Sequence, residues 1–160
     1  MIVFRHFRHL VSRFFGVLVG KPLGPRAQDE VNAILDPAAA ALFWDQDAID
    51  QRHAYAVAQR VRDRLAGDQD AFAAALLHDV GKRHCDLGAV ARSMATVADM
   101  MRLPMPAGWR RYRDHGTLGA RDLSEIGASP LAIAFAAGEP VAPDGIESDV
   151  WDVLRAADDA

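Results

Sequence analysis

The sequence predicts an all-α fold, a single compact multi-helix domain preceded by an amphipathic N-terminal helix, and three observations carry that expectation. Apolar residues recur at steps of three and four along most of the chain. Capping residues and prolines stand where helices would open, and glycines where they would close, as in Asp36-Pro37, Gly67, Gly81 and Gly127-Ala-Ser-Pro130. No stretch alternates apolar and polar residues between turn signals as a half-buried strand would, and no internal repeat is visible. The length of 160 residues fits one domain, which holds ~100–200. Such a chain buries roughly 68–70% of its unfolded surface, so it needs neither a disulfide nor a structural metal to fold. A content of 51% hydrophobic and 25% charged residues excludes disordered and collagen-like classes.

In chain order, residues 1–20 form the first element. Phe4, Phe7, Val11, Phe14 and Leu18 fall on one face, with Arg5, Arg8, Ser12 and Arg13 between them. The uncharged run from Phe14 to Gly20 is far below the ~20 apolar residues of a membrane span. Lys21-Pro22 stands where a signal peptide would carry its small-residue cleavage site. The expectation is a helix docked on the protein's own core, with membrane-surface contact or a partner helix as the weaker alternatives. Residues 21–44 read as a connector with short helices, turn-rich at 21–25 and helical over 37–44, where Asp36 caps and Pro37 takes the first helical position.

The main domain is expected over 45–160. Its helices are predicted at 47–66, closed by Gly67; 69–80, closed by Gly81-Lys82; and 86–101, closed by the Pro104/Pro106 loop. Shorter ones follow at 115–126 and 130–137, and a last one begins after the loop 138–145 and reaches the C-terminus, for seven or eight in all. The segment 102–114 is expected to be a loop, with Arg110-Arg-Tyr-Arg113 a solvated surface run. Met94, Met100, Met101 and Met105 are expected to fill core gaps.

Charge narrows the partners. Residues 1–26 carry five bases and no acid, leaving thirteen bases against 22 acids, a net −9, on the rest. A body this acidic argues against a nucleic-acid duplex as partner, which needs a basic stripe. Cys85 is the sole cysteine and has no internal partner for a disulfide, so a reducing cytoplasm is the expected compartment and a buried structural thiol the expected role. Walker, dinucleotide-binding and paired-cysteine zinc motifs are all missing.

Three helices end their inward faces in groups able to bind a metal. On 47–66, His53 shares a side with Ile49, Ala56, Val57 and Leu65. The run Ala71-Phe-Ala-Ala-Ala-Leu-Leu77 is apolar all round, hence buried, and passes directly into His78-Asp79. Polar groups at such an end are costly without partners. On the last helix, Trp151, Leu154 and Asp158 follow steps of three and four, while Asp159 is rotated about 100° away. Singly, His53 reads as a core histidine and Asp158 as an ion-pair partner. Together, two imidazoles and two carboxylates make a mixed N/O set suited to Mn, Fe, Co, Ni, Zn or Mg.

The blocks His53-Ala-Tyr-Ala-Val-Ala58, Ala75-Leu-Leu-His-Asp-Val-Gly-Lys82 and Leu154-Arg-Ala-Ala-Asp158, in that order, resemble the HD-domain superfamily of metal-dependent phosphohydrolases over about 45–160. The variant is most similar to the branch with His-Asp-Ile-Gly-Lys. The resemblance implies that His53, His78, Asp79 and Asp158 hold one divalent metal ion, that Asp79 also accepts a proton from the attacking water, and that Lys82 lies by the substrate phosphate. His115, opening His115-Gly-Thr-Leu-Gly119, matches a further family histidine that serves the phosphate or a second metal; its alternative is an exposed helix-start residue. The alternative for Lys82 is a solvated lysine at a helix C-terminus. The branch's adjacent histidines have no counterpart in Ala134-Phe-Ala-Ala-Gly-Glu-Pro140, so the resemblance does not extend to a fully liganded second metal. The Gly-Tyr-Pro signature is missing, and with it the implication of cyclic-dinucleotide hydrolysis. The expected substrate is a small phosphomonoester or phosphodiester, such as a nucleotide. The alternative function is a catalytically silent metal-binding module that binds a nucleotide or partner protein, and the aromatic N-terminal helix could close a homo-oligomer.

Overall fold

The computed structural model describes residues 21–85, 104 and 106–160. The expected helices at 1–20 and 86–101, with the four methionines, lie outside the described residues. All regular structure among the described residues is helical, in agreement with the all-α expectation.

Helix α1 (Pro25–Ile34) begins on the last residue of the expected turn, with proline at its start and Val31 fully buried. In α2 (Pro37–Trp44), Asp36 accepts from the backbone N–H groups of Ala38 at 2.8 Å and Ala39 at 2.9 Å, as its capping role requires. The long helix α3 (Ala48–Arg64) buries Ala54, Val57, Ala58 and Val61. Ala56 is exposed, which corrects the expected inward face: the buried stripe is centred on Ala54 and Val61, and His53 lies on its edge. Glu30 of α1 clasps α3, accepting from Tyr55 Oη at 2.8 Å, Arg62 Nη1 at 3.0 Å and Gln59 Nε2 at 3.2 Å. Arg62 also stacks over the Phe72 ring, 4.2 Å from its centroid.

Helix α4 (Gln69–Leu77) is capped by Asp68 and is the centre of the fold, packing on α3 and α7 and touching α1, α2 and α8. All its residues from Ala71 to Leu77 except Ala73 are buried. Each of Phe72, Leu76 and Leu77 contributes about 1.5–3 kcal/mol by leaving water. The α-helix ends at Leu77 rather than at residue 80. His78 and Asp79 form a turn, and a 3-10 turn follows over Val80–His84, so Gly81 does not close an α-helix. The tighter winding follows from the i→i+3 bond between Lys82 N–H and Asp79 C=O, 2.9 Å.

Gly81 has a different reason to be glycine. A Cβ there would lie 1.9 Å from the carbonyl oxygen of His115 and 2.6 Å from the nitrogen of Gly119, so only a bare α-carbon lets the 3-10 turn lie on the backbone of α6. That neighbour is reached through α5 (Ala107–Arg113), which corrects the expected loop at 102–114, and α6 (His115–Glu125), joined at Asp114. Helix α7 (Pro130–Ala137) is capped by Ser129 and closed by Gly138 in the left-handed conformation, φ 72°. Helix α8 (Ser148–Asp158) packs back on α3. No helix among the described residues is long and apolar enough to cross a membrane. Cys85 is buried, as expected.

Candidate functional site

The packing of α8 and of the end of α4 against α3 brings the sequence-selected residues together. His53 lies on α3 six residues after its N-cap, His78 and Asp79 on the turn that ends α4, and Asp158 on the last residue of α8. Oδ1 of Asp158 is 3.2 Å from His53 Nε2 and 3.3 Å from His78 Nε2. Oδ2 of Asp79 is 3.3 Å from His78 Nε2 and 3.9 Å from His53 Nε2. His115, first residue of α6, turns Nε2 to the other oxygen of Asp79 at 3.5 Å, so it is not the exposed helix-start histidine of the alternative reading. Lys82 bonds to Asp79 Oδ2 from within the 3-10 turn. It is buried, which corrects the picture of a solvated helix-end lysine.

Exposure divides the site into a floor and a rim. The side chains of His78 and Asp79 are 6% exposed and that of Lys82 8%, against 23% for His53, 30% for His115 and 39% for Asp158. The floor is therefore dry, and a ligand would approach from the rim. Phe135 of α7 backs the floor, its ring 5.7 Å from that of His78, and Trp151 of α8 packs edge-on against Phe135.

Backbone contacts fix which ring nitrogen faces the site. His78 Nδ1 donates to the carbonyl of Ala75 at 2.8 Å, and His115 Nδ1 donates to that of Tyr112 at 2.6 Å. A carbonyl only accepts, so Nδ1 carries the proton in both rings and Nε2 is the atom presented to the site. Second partners of this kind hold a ligating imidazole in place. Arg60 of α3 donates to the carbonyl of Ala157 at 3.1 Å, which pins the end of α8 where Asp158 leaves it.

The electrostatics are those of a compact charge cluster. Burial works against the charged form of His78, but Asp79 and Asp158 overcome it and raise the imidazole to about 10. Burial would likewise raise Asp79, yet Lys82 and His78 hold it well below the usual carboxylate range. Asp158 is also depressed, through His53 and His78 against its own desolvation. Lys82 stays charged because Asp79, and after it Asp50, outweigh its burial.

Two observations bear on whether a metal fits. Nε2 of His78 is buried without completing a hydrogen bond, although two carboxylate oxygens lie at 3.3 Å. A buried polar atom in that condition is costly, and a cation between it and those oxygens, taking the place of the Nε2 proton, would remove the cost. Donor atoms held 2.0–2.2 Å from one ion lie about 2.8–3.6 Å apart for angles between 90° and tetrahedral. The separations of 3.2, 3.3 and 3.3 Å fall in that interval, and 3.9 Å lies just outside it. His53, His78 and Asp79 form a group whose ligand atoms all lie within 4.8 Å of one another. These three side chains could hold a metal ion; Asp158 stands outside that group, although its Oδ1 lies within 3.3 Å of both imidazoles. Among the described residues no other group of three such side chains has this geometry.

Sequence reasoning missed Asp50, Arg60 and Tyr112. Asp50 is buried three residues before His53 on the same face of α3; its position in the first turn made it look like an ordinary helix-start acid. Tyr112, whose ring stacks on His115 at 5.7 Å, was hidden in an arginine-rich run. Arg60 left no signal, because its partner is a backbone carbonyl 97 residues away. No family model, curated protein or solved structure matches the chain.

Proposed function

We propose that the chain is an HD-type phosphohydrolase dependent on one divalent metal ion, cleaving a small phosphomonoester or phosphodiester, such as a nucleotide. The observation that carries this reading is the meeting of His53, His78, Asp79 and Asp158, from three helices, around an unsatisfied buried imidazole nitrogen. Those four would hold the ion, which is one of Mn, Fe, Ni, Co, Zn or Mg. When bound, it supplies a lowered pKa for water and a Lewis-acid contact for a phosphate oxygen.

The remaining roles fall to the chain's own groups. Asp79, ionised at neutral pH, is the group that would accept the proton of the attacking water. Lys82 brings a positive charge from the dry floor to the phosphate oxygens, where negative charge grows in the transition state, and low exposure strengthens it. His115, anchored by Tyr112, presents Nε2 at the rim and in its protonated form can donate to the leaving oxygen. The unbridged, buried Cys85 accords with a cytoplasmic setting.

A second reading, a metal-holding but catalytically silent module, draws support from Lys82, which already occupies Asp79 Oδ2. Hydrolysis of p-nitrophenyl phosphate, bis-p-nitrophenyl phosphate and a set of nucleotides, with Mn2+ added, decides between them. The enzyme reading expects turnover that disappears in Asp79→Ala and His53→Ala. Metal binding with no turnover on any ester would favour the silent module, and turnover equal in Asp79→Ala would refute the assignment of the site.

A further inference from the structure

Among the described residues Lys82 is the only buried lysine or arginine, and the oxygen it bonds is the one turned to both site imidazoles. Asp79 Oδ2 is thus claimed twice: by the ammonium of Lys82 and, on the reading proposed above, by a divalent ion. A lysine ammonium and a dication on one oxygen repel each other, strongly so on a floor with little water to screen them. The side chain of Lys82 is only 8% exposed, so solvent offers it little relief. It needs a second carboxylate.

Asp50 supplies one. It is buried on α3 one turn before His53, whose Nε2 stands 3.9 Å from the very oxygen that Lys82 bonds, and its negative charge favours the ammonium of Lys82. We propose that Lys82 is a built-in competitor of the metal at Asp79 Oδ2, and that Asp50 is the positioning residue that draws Lys82 aside when an ion enters. This rests on the metal-centre reading above. Its consequence is that the affinity of the site is set by how Lys82 is shared between two carboxylates. In the absence of metal, Lys82 neutralises Asp79. With metal, it shifts toward Asp50 and keeps its charge beside the place a phosphate would take.

The test is calorimetric titration of the full chain, stripped with chelator, with Mn2+ alone and no phosphate present. It compares the unmodified chain, Lys82→Met, Asp50→Asn and the double variant, with thermal melting of each metal-free protein to establish that it is folded. Lys82→Met should bind about tenfold more tightly and Asp50→Asn about tenfold more weakly, a size usual for one local coupling. The double variant should match Lys82→Met to within about twofold, because Asp50 acts through Lys82. Equal or weaker binding by folded Lys82→Met overturns the competition. An Asp50→Asn loss that persists undiminished without Lys82 overturns the positioning role and leaves only a through-space field. If Lys82→Met does not fold, Lys82→Gln takes its place, and unchanged binding by Asp50→Asn still overturns the proposal. Binding by the unmodified chain with no gain in Lys82→Met sinks this inference alone, whereas no Mn2+ binding by any variant sinks it together with the metal-centre reading.

Discussion

Replacing Gly81 by alanine tests how the 3-10 turn that carries Lys82 is seated. The added Cβ would stand 1.9 Å from the carbonyl oxygen of His115, 2.6 Å from the nitrogen of Gly119 and 2.9 Å from the carbonyl carbon of His115, where real Cβ atoms essentially never come closer than 3.0 Å. All three obstacles are backbone atoms, so no rotamer change relieves the overlap, and the 3-10 turn and α6 must part by about 1 Å. Overfilling a packed site costs about 1–3 kcal/mol and occasionally more. Three simultaneous backbone overlaps put this case at the upper end, about 3–4 kcal/mol. At about 2–4 °C per kcal/mol for a chain of this size, the melting temperature should fall by about 6–16 °C. Separation of the turn from α6 also pulls His115 away from Asp79, from which it stands at 3.5 Å. Gly119→Ala is the graded control in the same contact. Its Cβ would meet Gly81 at 3.0 Å and 3.4 Å and the Val80 side chain at 3.6 Å, for a cost of about 1 kcal/mol. Thermal unfolding followed by circular dichroism measures both. Gly81→Ala melting within about 2 °C of the unmodified chain, or Gly119→Ala costing more than Gly81→Ala, would show that the turn is not seated in this way.

Two other expectations follow from single contacts. Tyr55, Arg62 and Gln59 hold Glu30 down to about 2 from an ordinary 4.5, outweighing a small opposing effect of burial. A depressed folded-state pKa contributes stability above pH ~4.5 that is lost as pH falls from there through about 2. With the carboxylate partly solvated, the contribution is about 1–2 kcal/mol. Glu30→Gln should flatten the acid limb of the stability profile by that amount, and an unchanged acid limb would count against the clasp. Arg60→Met removes the donor to the Ala157 carbonyl and so loosens Asp158. Mn2+ affinity should fall about tenfold, as for partners that orient metal ligands, while metal-free melting changes little. Unaltered affinity would separate Arg60 from the site.

The helix pattern was legible because local signals agree with the packing. Asp36-Pro37, the all-apolar run of α4 and the Ser129-Pro130 start each state a helix in a few residues, and each helix opens where expected. The site was legible at His53, His78 and Asp158 because polar groups at the ends of apolar faces violate the pattern around them. What stayed hidden depends on long-range geometry. Gly81 reads locally as a helix stop, and only the backbone of α6, 34 residues on at His115, shows that its missing side chain serves a close approach. The burial of Lys82, for which a solvated helix-end lysine is the alternative reading, stays hidden because the 3-10 turn that carries it has no distinct sequence signal. Ala56 was misplaced because one residue is 100° of helix, enough to move a side chain from the edge of a stripe to water. Asp50 could have been found by asking why an acid shares the face of His53.

The central claim is that four side chains from α3, the end of α4 and α8 form a site for one divalent ion. Elemental analysis of untagged protein purified without chelator, and of Asp79→Ala prepared identically, followed by equilibrium dialysis of both against Mn2+, tests it most directly. The account predicts about one equivalent of metal per chain in the unmodified protein after dialysis and a loss of most of it in Asp79→Ala, since the variant removes the buried carboxylate of the set. No differential binding after Mn2+ is added back would contradict the account and make the cluster a structural ion-pair network.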